Sequence, residues 1–315
     1  MVSSGLTIAA PIFVLVAALV IDRLIGDPHT SYHPVALLGR FIGLWGKPVA
    51  FPLGFQRAIG VSFWFLTVFI FTYPFFFFSE FAPWYLYLFG APFLLKCCFA
   101  GRSLEDHTLA VIDALNGSIK EGRDRVKMLV SRDTTSLDKN HILSAAYESL
   151  TENLTDSIVS PLFYYSLFGL IGSAFYRATN TMDAMLGYRD HRVRLGWWSA
   201  RMDDLLNFIP ARITVLFLLL YFAIKGRFRP AYRILRRDGR NRPGFNGGIV
   251  MAAMAGGIGI RFEKPAVYII GDCERSLEDG GKEILHSVRV VTFLVVITTV
   301  STLLLLGTLI NNMRI

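Results

Sequence analysis

The sequence RDTTSLD (residues 132–138) opens a stretch that decides how this chain is organised, and ARMDDLLNFIPAR (200–212) closes it. Between them lie AAYESLTENLTDSIVSPLFYY (145–165) and FYRATNTMDAMLGY (175–188). These segments gather carboxylate, amide and guanidinium side chains, whereas most of the remaining sequence is apolar. We therefore place the chemistry of the protein between Arg132 and Arg212.

The composition surrounding this stretch indicates a polytopic membrane protein. Of the 315 residues 53% are hydrophobic and 26 are phenylalanine, and the mean hydropathy is +0.46. The formal net charge of +8 could suggest nucleic acid, but in a membrane protein an excess of Lys and Arg usually marks cytoplasmic loops. Because no basic run is interleaved with stacking aromatic residues, we expect a lipid bilayer as partner and no nucleic acid.

Six apolar segments predict an all-α helical bundle in the membrane. Residues 6–21, 58–78, 82–95 and 290–310 are predicted to be about four full transmembrane helices. The other two segments, 157–176 and 205–224, are predicted to be broken or re-entrant. They contain Pro161, Gly169 and Gly172 in one case and Pro210 in the other, and such irregular backbone is tolerated where protein buries it.

This topology decides whether the polar residues can act together. If residues 157–176 crossed the bilayer, the polar clusters on either side of them would face opposite compartments. We expect instead one membrane domain over residues 1–315, multi-pass in the cell membrane, with its site facing the cytoplasm. Residues 101–156 are predicted to be a polar, mainly helical cytoplasmic segment, and residues 225–289 a basic, Gly- and Ala-rich one.

The run KGRFRPAYRILRRDGRNR (225–242) is the most basic part of the sequence. The positive-inside rule alone explains it as a cytoplasmic loop, while attraction to anionic lipid headgroups or to a phosphorylated ligand stays open. The sequence contains no G-x-x-x-x-G-K-[ST] segment. A nucleotide would therefore not be bound by a Walker A loop.

Three carboxylates, Glu148, Glu152 and Asp156, recur at steps of four, which places them along one face of a predicted helix. Like charges at this spacing destabilise a helix by roughly 0.2–0.5 kcal/mol per pair, so something cationic should face them. Arginine side chains, a divalent metal or a substrate amine would each serve. The alternative is a solvated acidic face.

A second polar cluster follows the apolar segment. Asn180 and Asp183 are three residues apart, and Asp203, Asp204 and Asn207 fall within about one helical turn. Carboxylate and amide oxygens are hard ligands that suit Mg²⁺, which proteins usually hold with one or two carboxylates and substrate phosphates.

A third group follows the first apolar segment, where Asp22, Asp27, His29 and His33 come together. These residues could form an interfacial turn or supply ligands to a metal or another cation. The residue types leave both interpretations open.

Together with DRLIGDPHTSYHPVALLGR (22–40) and MAAMAGGIGIRF (251–262), the quoted segments resemble the cobalamin-biosynthesis family of integral membrane adenosylcobinamide-phosphate synthases. The resemblance covers most of the chain in the family's order. One departure is GFNGGIV (244–250), which keeps Asn246 and Gly248 but lacks the proline and tryptophan usual in the family.

The resemblance implies an ATP-dependent ligase that uses magnesium. It would join a propionate carboxylate of adenosylcobyric acid to the amine of (R)-1-aminopropan-2-ol O-phosphate or of aminopropanol. The product would be adenosylcobinamide phosphate or adenosylcobinamide. The expected partners are the corrinoid, the amine and ATP, with other cobalamin-biosynthesis enzymes or a second copy of the chain as further possibilities.

The resemblance also assigns expected roles to the polar residues. The candidate catalytic residues are Glu148, Glu152, Asp183 and Asp204. The candidate substrate- and phosphate-binding residues are Arg132, Asn153, Arg177, Asn180, Arg201, Asn207, Arg212 and Asn246. The candidate magnesium ligands are Asp156, Asp183 and Asp203, and Asp22, Asp27 and His33 are additional candidates. Spacing does not assign the carboxylate that takes the amine proton.

Two other classes of membrane protein are compatible with buried carboxylates. A magnesium-dependent prenyl- or phospho-alcohol transferase also uses aspartate clusters, but NTMDAMLGYRD (180–190) and DDLLNFIPAR (203–212) do not have the spacing of its usual motifs. A secondary transporter would explain broken helices, although no internal repeat is evident in the two halves of the sequence.

Overall fold

The computed structural model describes residues 4–27 and 32–313. His29 lies outside the described residues. Within the described residues, the regular secondary structure is helical except for one hairpin of two short strands, as expected for an all-α protein. It divides into two compact units, the first formed by Met1–Gly101, Ser160–Leu206 and Val295–Ile315, and the second by Arg102–Val159 and Asn207–Leu294.

The first unit contains most of the aromatic apolar helices. Their bounds are α1 Ser4–Ile25, α2 Pro34–Trp45, α3 Gln56–Phe81, α4 Trp84–Lys96, α8 Ser160–Leu186 and α9 Trp197–Leu206. A 3₁₀ turn, Pro48–Ala50, precedes α3. α1 packs on α4, and α8 packs on α2, α3 and α9. Many phenylalanines of α3 remain exposed, as expected for a surface that faces lipid.

The second unit contains the polar helices and the strands. Its helices are α5 Arg102–Gly117, α6 Ile119–Val126, α7 Lys139–Leu154, α10 Phe208–Ile224, α11 Phe228–Asp238 and α12 Gly247–Ile258. A π-helical turn, Thr155–Val159, follows α7, and α13 Leu277–Met313 begins in this unit. α12 packs closely on α11 because Gly256 has no side chain: a Cβ there would lie 2.7 Å from the Pro230 carbonyl oxygen.

The strands form an antiparallel hairpin that the sequence did not predict. β1 Phe262–Lys264 pairs with β2 Tyr268–Ile270, and the register places Lys264 directly opposite Tyr268. Directly opposed residues point to the same face of a hairpin. Lys264 and Tyr268 therefore share one face.

Several described helices have the length and apolarity needed to cross a bilayer. They are α3, α13 and the run Lys139–Leu186, and the pair α9 and α10 passes the same test as one broken span. The predicted span 6–21 lies inside α1 and the span 290–310 inside α13. α4 has 13 residues, or about 20 Å of helix, and is shorter than a hydrocarbon core of about 30 Å.

Residues 157–176 were predicted to be broken or re-entrant, and the structure confirms this. Gly169, inside α8, has φ +63° and ψ −150°, which ends the helical path there. A Cβ on Gly172 would lie 2.4 Å from the Tyr164 carbonyl oxygen, and the rings of Tyr164 and Tyr176 stack with centroids 5.5 Å apart.

Those contacts exclude a straight helix. Eight and twelve residues along an α-helix correspond to about 12 and 18 Å. α8 is therefore a helical hairpin that turns at Gly169, and Ser160 and Leu186 lie at its open end. The run Lys139–Leu186 is consequently not a single straight crossing.

The turn predicts a specific effect of mutation. The Gly169→Ala variant should lower the free energy of unfolding by about 1–3 kcal/mol, because this backbone conformation is essentially restricted to glycine. Thermal unfolding in detergent, followed by tryptophan fluorescence, measures the change.

The matched control is Gly43→Ala in α2, where a new Cβ meets no atom within 4 Å and φ is not positive. Alanine has the higher helix propensity, so this variant should be as stable as the original or slightly more so. Equal melting temperatures for both variants would contradict a fold-back at Gly169.

Candidate functional site

A polar cavity of about 190 Å³ lies in the second unit. It is enclosed by α7, the loop before it, the segment after α11 and the β-hairpin. Its polar lining consists of Ser131, Arg132, Glu148, Ser149, Glu152, Asn153, Arg242, Lys264 and Tyr268. Arg132, Glu148, Glu152 and Asn153 were predicted from the sequence as site residues, and the structure brings all four together.

Helix α7 forms one wall of the cavity. Asp138 caps its first turn, accepting a hydrogen bond of 2.9 Å from the His141 backbone N–H. Glu148 and Glu152 then follow one turn apart and both line the cavity, as their spacing predicted. Asp156 does not line it: it belongs to the π-helical turn, whose wider winding changes the direction of successive side chains.

Glu148 is 3% exposed and accepts hydrogen bonds from three side chains. They come from Arg132 Nη2 at 2.8 Å, Tyr268 Oη at 2.6 Å and Ser144 Oγ at 2.5 Å. Bonds to an ionised acceptor are short and strong, and a buried charge needs them. Glu148 therefore serves as the support that fixes Arg132 and Tyr268.

Glu152 forms an ion pair with Arg242, which lies beyond the end of α11. The cationic partners that the stepped carboxylates required are thus two arginines, Arg132 and Arg242. Asn153 is held on its own helix, since its amide donates to the Ser149 carbonyl oxygen at 2.9 Å.

Two cationic side chains of the cavity have N–H groups that donate no hydrogen bond to the described chain. Arg132 Nη1 is buried and has no hydrogen-bond partner within the described chain. The Lys264 ammonium likewise makes no hydrogen bond or ion pair to any described residue. Burial, and next the Arg132 guanidinium, lower the pKa of Lys264 from its ordinary value of 10.5.

The pKa of Tyr268 is shifted in the opposite direction. Burial raises the pKa of its phenol, and the neighbouring Glu148 carboxylate raises it further. Tyr268 therefore remains protonated and donates to Glu148. The cavity thus combines a buried carboxylate, Glu148, a half-buried one, Glu152, a neutral phenol and three cations.

The third predicted group lies in the first unit. Lys96 Nζ is 3.1 Å from Asp22 Oδ1 and also forms an ion pair with Asp27. Lys96 is only 4% exposed. The cation that Asp22 and Asp27 were expected to attract is therefore a lysine of the chain. His33 caps α2, accepting from the Val35 backbone N–H at 3.3 Å, and burial lowers the pKa of its imidazole.

The structure also joins α8 and α9 through predicted residues. Asn180 Nδ2 donates to Asp203 Oδ1 at 3.2 Å, and Arg177 Nη1 donates to Asn180 Oδ1 at 3.3 Å. Arg177 Nε is fixed by the Cys98 carbonyl oxygen at 2.8 Å. Arg177, Asn180 and Asp203 therefore form one chain of hydrogen bonds in the first unit.

The other two predicted carboxylates of the first unit are half-buried. Asp183 lies over the end of α8, where a Cβ on Gly187 would come 1.9 Å from its Oδ1. Asp204 lies one residue beyond Asp203 in α9, and Arg201, on the same helix, is exposed.

The remaining predicted residues lie in the second unit but do not line its cavity. Arg212 Nη1 donates to Asn246 Oδ1 at 2.6 Å, and its guanidinium stacks on Phe208 with 3.7 Å between Cζ and the ring centroid. Asn246 directly precedes α12, so this pair anchors the start of that helix. Asn207 is buried at the start of α10.

The geometry limits how a metal could be held. In the described parts of the chain, no three His, Cys, Asp or Glu residues converge as a metal-binding set. Mg²⁺ often takes one or two carboxylates and completes its shell with water and phosphate oxygens. Asp203 with Asn180 fits that partial set, and the involvement of magnesium stays a prediction.

Sequence reasoning missed Arg242, Lys264 and Tyr268 in the cavity and Lys96 in the first unit. Arg242 stood in a basic run that membrane topology already explained. Lys96 carried a usable signal, since a lone lysine at the end of an apolar run needs a buried partner and two aspartates were candidates. Nothing in the sequence alone indicated Tyr268.

The fold and the cavity define a helical membrane protein with a charge-lined cavity. Residues 15–310 match the family model described as CobD/Cbib protein, and the chain belongs to this family. No solved structure matches the chain.

Curated relatives extend the match over most of the chain. A protein of Thermococcus kodakarensis, named probable cobalamin biosynthesis protein CobD, is 44% identical over 83% of this chain and 86% of its own length. A protein of the same name from Methanothermobacter thermautotrophicus is 39% identical, covering 91% of this chain and 95% of its own length. The cobalamin biosynthesis protein CobD of Dehalococcoides mccartyi is 35% identical, covering 84% of this chain and 88% of its own length.

The ion pairs of Lys96 predict a large stability effect. Replacing Lys96 by methionine leaves Asp22 and Asp27 without their cation, and breaking a buried pair in this way costs about 3–5 kcal/mol. The Lys96→Met variant should therefore melt at a clearly lower temperature in detergent.

Adding Asp22→Asn and Asp27→Asn to Lys96→Met should restore much of the lost stability, because the uncompensated charges are then removed. Lys47→Met is the matched control, since Lys47 is exposed and has no ion pair among the described residues. If the triple variant were no more stable than Lys96→Met, the loss would not be electrostatic.

Proposed function

We propose that this protein catalyses an ATP-dependent amide ligation in cobalamin biosynthesis. A propionate carboxylate of adenosylcobyric acid would be joined to the amine of (R)-1-aminopropan-2-ol O-phosphate, giving adenosylcobinamide phosphate. Membership of the CobD/Cbib family and the names of the relatives support the pathway. One structural observation carries the reaction class, namely the cavity in which Arg132, Arg242 and Lys264 face Glu148 and Glu152.

The chemistry requires groups of this kind. A carboxylate is a poor acyl donor, so ATP first activates it, as an acyl phosphate with release of ADP or as an acyl adenylate with release of diphosphate. The amine nitrogen then attacks the carbonyl carbon, the bond from that carbon to the phosphate oxygen breaks, and the nitrogen loses a proton. Preorganised cations stabilise the negative charge on phosphoryl oxygens throughout.

The two carboxylates of the cavity contribute by positioning the cations. Glu148 holds Arg132 and Glu152 holds Arg242, so both guanidinium groups are oriented before any substrate binds. Such preorganisation avoids a reorganisation cost during the reaction. Magnesium, when bound, would supply further charge neutralisation on the phosphates.

The helical hairpin α8 is compatible with a site on one side of the membrane. Because the chain turns back at Gly169, both ends of α8 lie on the same side of the turn. The basic run at 225–242 favours the cytoplasmic side, where ATP is available. We therefore propose a multi-pass protein of the cell membrane whose site faces the cytoplasm.

The proposal is tested with the purified protein in detergent or nanodiscs. Incubation with Mg²⁺, ATP, adenosylcobyric acid and aminopropanol phosphate should yield the amide, detected by mass spectrometry, together with ADP or AMP. Arg242→Gln should reduce kcat/KM by roughly 100-fold, similar to the loss of one preorganised donor in other enzymes.

Arg236→Gln provides the matched control, since Arg236 is exposed on α11 and does not line the cavity. Its turnover should equal that of the original protein. Absence of any ATP-dependent amide from folded protein would overturn the proposed function, and full activity of Arg242→Gln would remove the cavity from the reaction.

A further inference from the structure

The size of the cavity in the second unit restricts its occupant. Its volume of about 190 Å³ is below the range of about 300–1,000 Å³ that is usual for pockets of drug-sized ligands. A phosphate group on a short carbon chain matches such a space, whereas a corrinoid or a complete nucleoside triphosphate would have to extend beyond it.

The charge of the cavity gives a second restriction. Arg132, Arg242 and Lys264 contribute three positive charges and Glu148 and Glu152 two negative ones, so the net charge is +1 when all are ionised. A phosphate monoester carries about −1.5 to −2 near pH 7. An ammonium group on the same molecule brings its charge to about −0.5 to −1, which neutralises the cavity.

The donors and acceptors of the lining that are not fully used indicate where the phosphate and the ammonium group of the ligand would bind. The Lys264 ammonium makes no hydrogen bond or ion pair within the described chain and can donate to phosphate oxygens. The Arg132 guanidinium also lines the cavity, with 12% of its side chain exposed, and presents its positive charge to the same oxygens. Glu148 already accepts from three donors. The Glu152 carboxylate is 35% exposed and is bonded to Arg242 alone among the described residues, so it can accept from an ammonium group.

We infer that this cavity binds a small amino-alcohol phosphate monoester as a whole, with its phosphate on Arg132 and Lys264 and its ammonium group on Glu152. The inference rests on the proposed function for the identity of the amine, aminopropanol phosphate, and it assigns that substrate to this cavity. The activated corrinoid carboxylate would then meet the amine at the mouth of this cavity, beside Arg242.

Binding to the purified protein tests the inference without turnover. Isothermal titration in detergent, with no ATP present, should show that aminopropanol phosphate binds at least about 10-fold more tightly than aminopropanol or isopropyl phosphate, each of which lacks one charged group. Glycerophosphoethanolamine, a phosphodiester like a lipid headgroup, should also bind more weakly, because it has one negative charge fewer. Binding of the diester as tight as that of the monoester would assign the cavity to lipid headgroups and overturn the inference.

The decisive variant is Lys264→Gln, because this side chain holds no other residue in place and its loss should leave the fold intact. It should weaken binding of aminopropanol phosphate by about 10- to 100-fold, as expected for one charge-assisted hydrogen bond. Binding of unphosphorylated aminopropanol should change little. Lys282→Gln, at an exposed lysine of α13 outside the cavity, is the matched control and should bind as the original protein does.

The outcomes separate the inference from the proposed function. If no amide forms but aminopropanol phosphate binds with this dependence on Lys264, the ligase activity fails and the binding site stands. If the amide does form, Lys264→Gln should raise the KM for the amine and leave the KM for ATP unchanged. A raised KM for ATP with an unchanged KM for the amine would place the nucleotide in the cavity and overturn the inference.

Discussion

The buried carboxylate of Glu148 is the group on which the cavity depends. Taking an ion out of water is costly, and the cost is recovered only when hydrogen bonds satisfy the charge. Three elements supply those bonds, since Arg132 comes from the loop before α7, Tyr268 from β2 and Ser144 from α7 itself. Ser144 also accepts a hydrogen bond of 2.7 Å from the Glu263 backbone N–H in β1. One ion thus orients a loop, a helix and a hairpin around one space.

The first unit also contains a buried charged group, which is the ammonium of a lysine. Its helices are apolar, and Lys96 is nearly inaccessible to solvent at the end of α4. Its charge is stabilised there because Asp22 and Asp27 face it and the Phe99 carbonyl oxygen accepts a hydrogen bond from it at 3.3 Å.

The hairpin α8 depends on small residues. Gly169 adopts a backbone conformation that other residues rarely adopt. Gly172 has no side chain, which allows the second arm of the hairpin to approach Tyr164.

Which features could be predicted from the sequence depends on how far apart along the chain the interacting residues are. The fold-back of α8 was predictable because glycine and proline act locally, within a few residues of the break. The shared face of Glu148 and Glu152 was predictable because helical periodicity is local as well. The position of Asp156, in a π-helical turn and outside the cavity lining, could not be predicted because no periodic pattern indicates such a turn. The three-residue strands β1 and β2 are too short to show an alternating pattern, so Lys264 and Tyr268 could not be assigned.

The distinction between supporting and substrate-facing charges follows from these contacts. Periodicity finds the carboxylates because they lie on one helix, and burial of a helix face forces each carboxylate there to acquire a cation. Those cations, Arg132 and Arg242, come from distant parts of the sequence, and one of them retains a buried donor without a partner. Helical periodicity therefore identifies the carboxylates, while the cations that face them are set by tertiary contacts. For a charged cavity of this kind, the chemically important atoms are those that remain unsatisfied after the helix face has been neutralised.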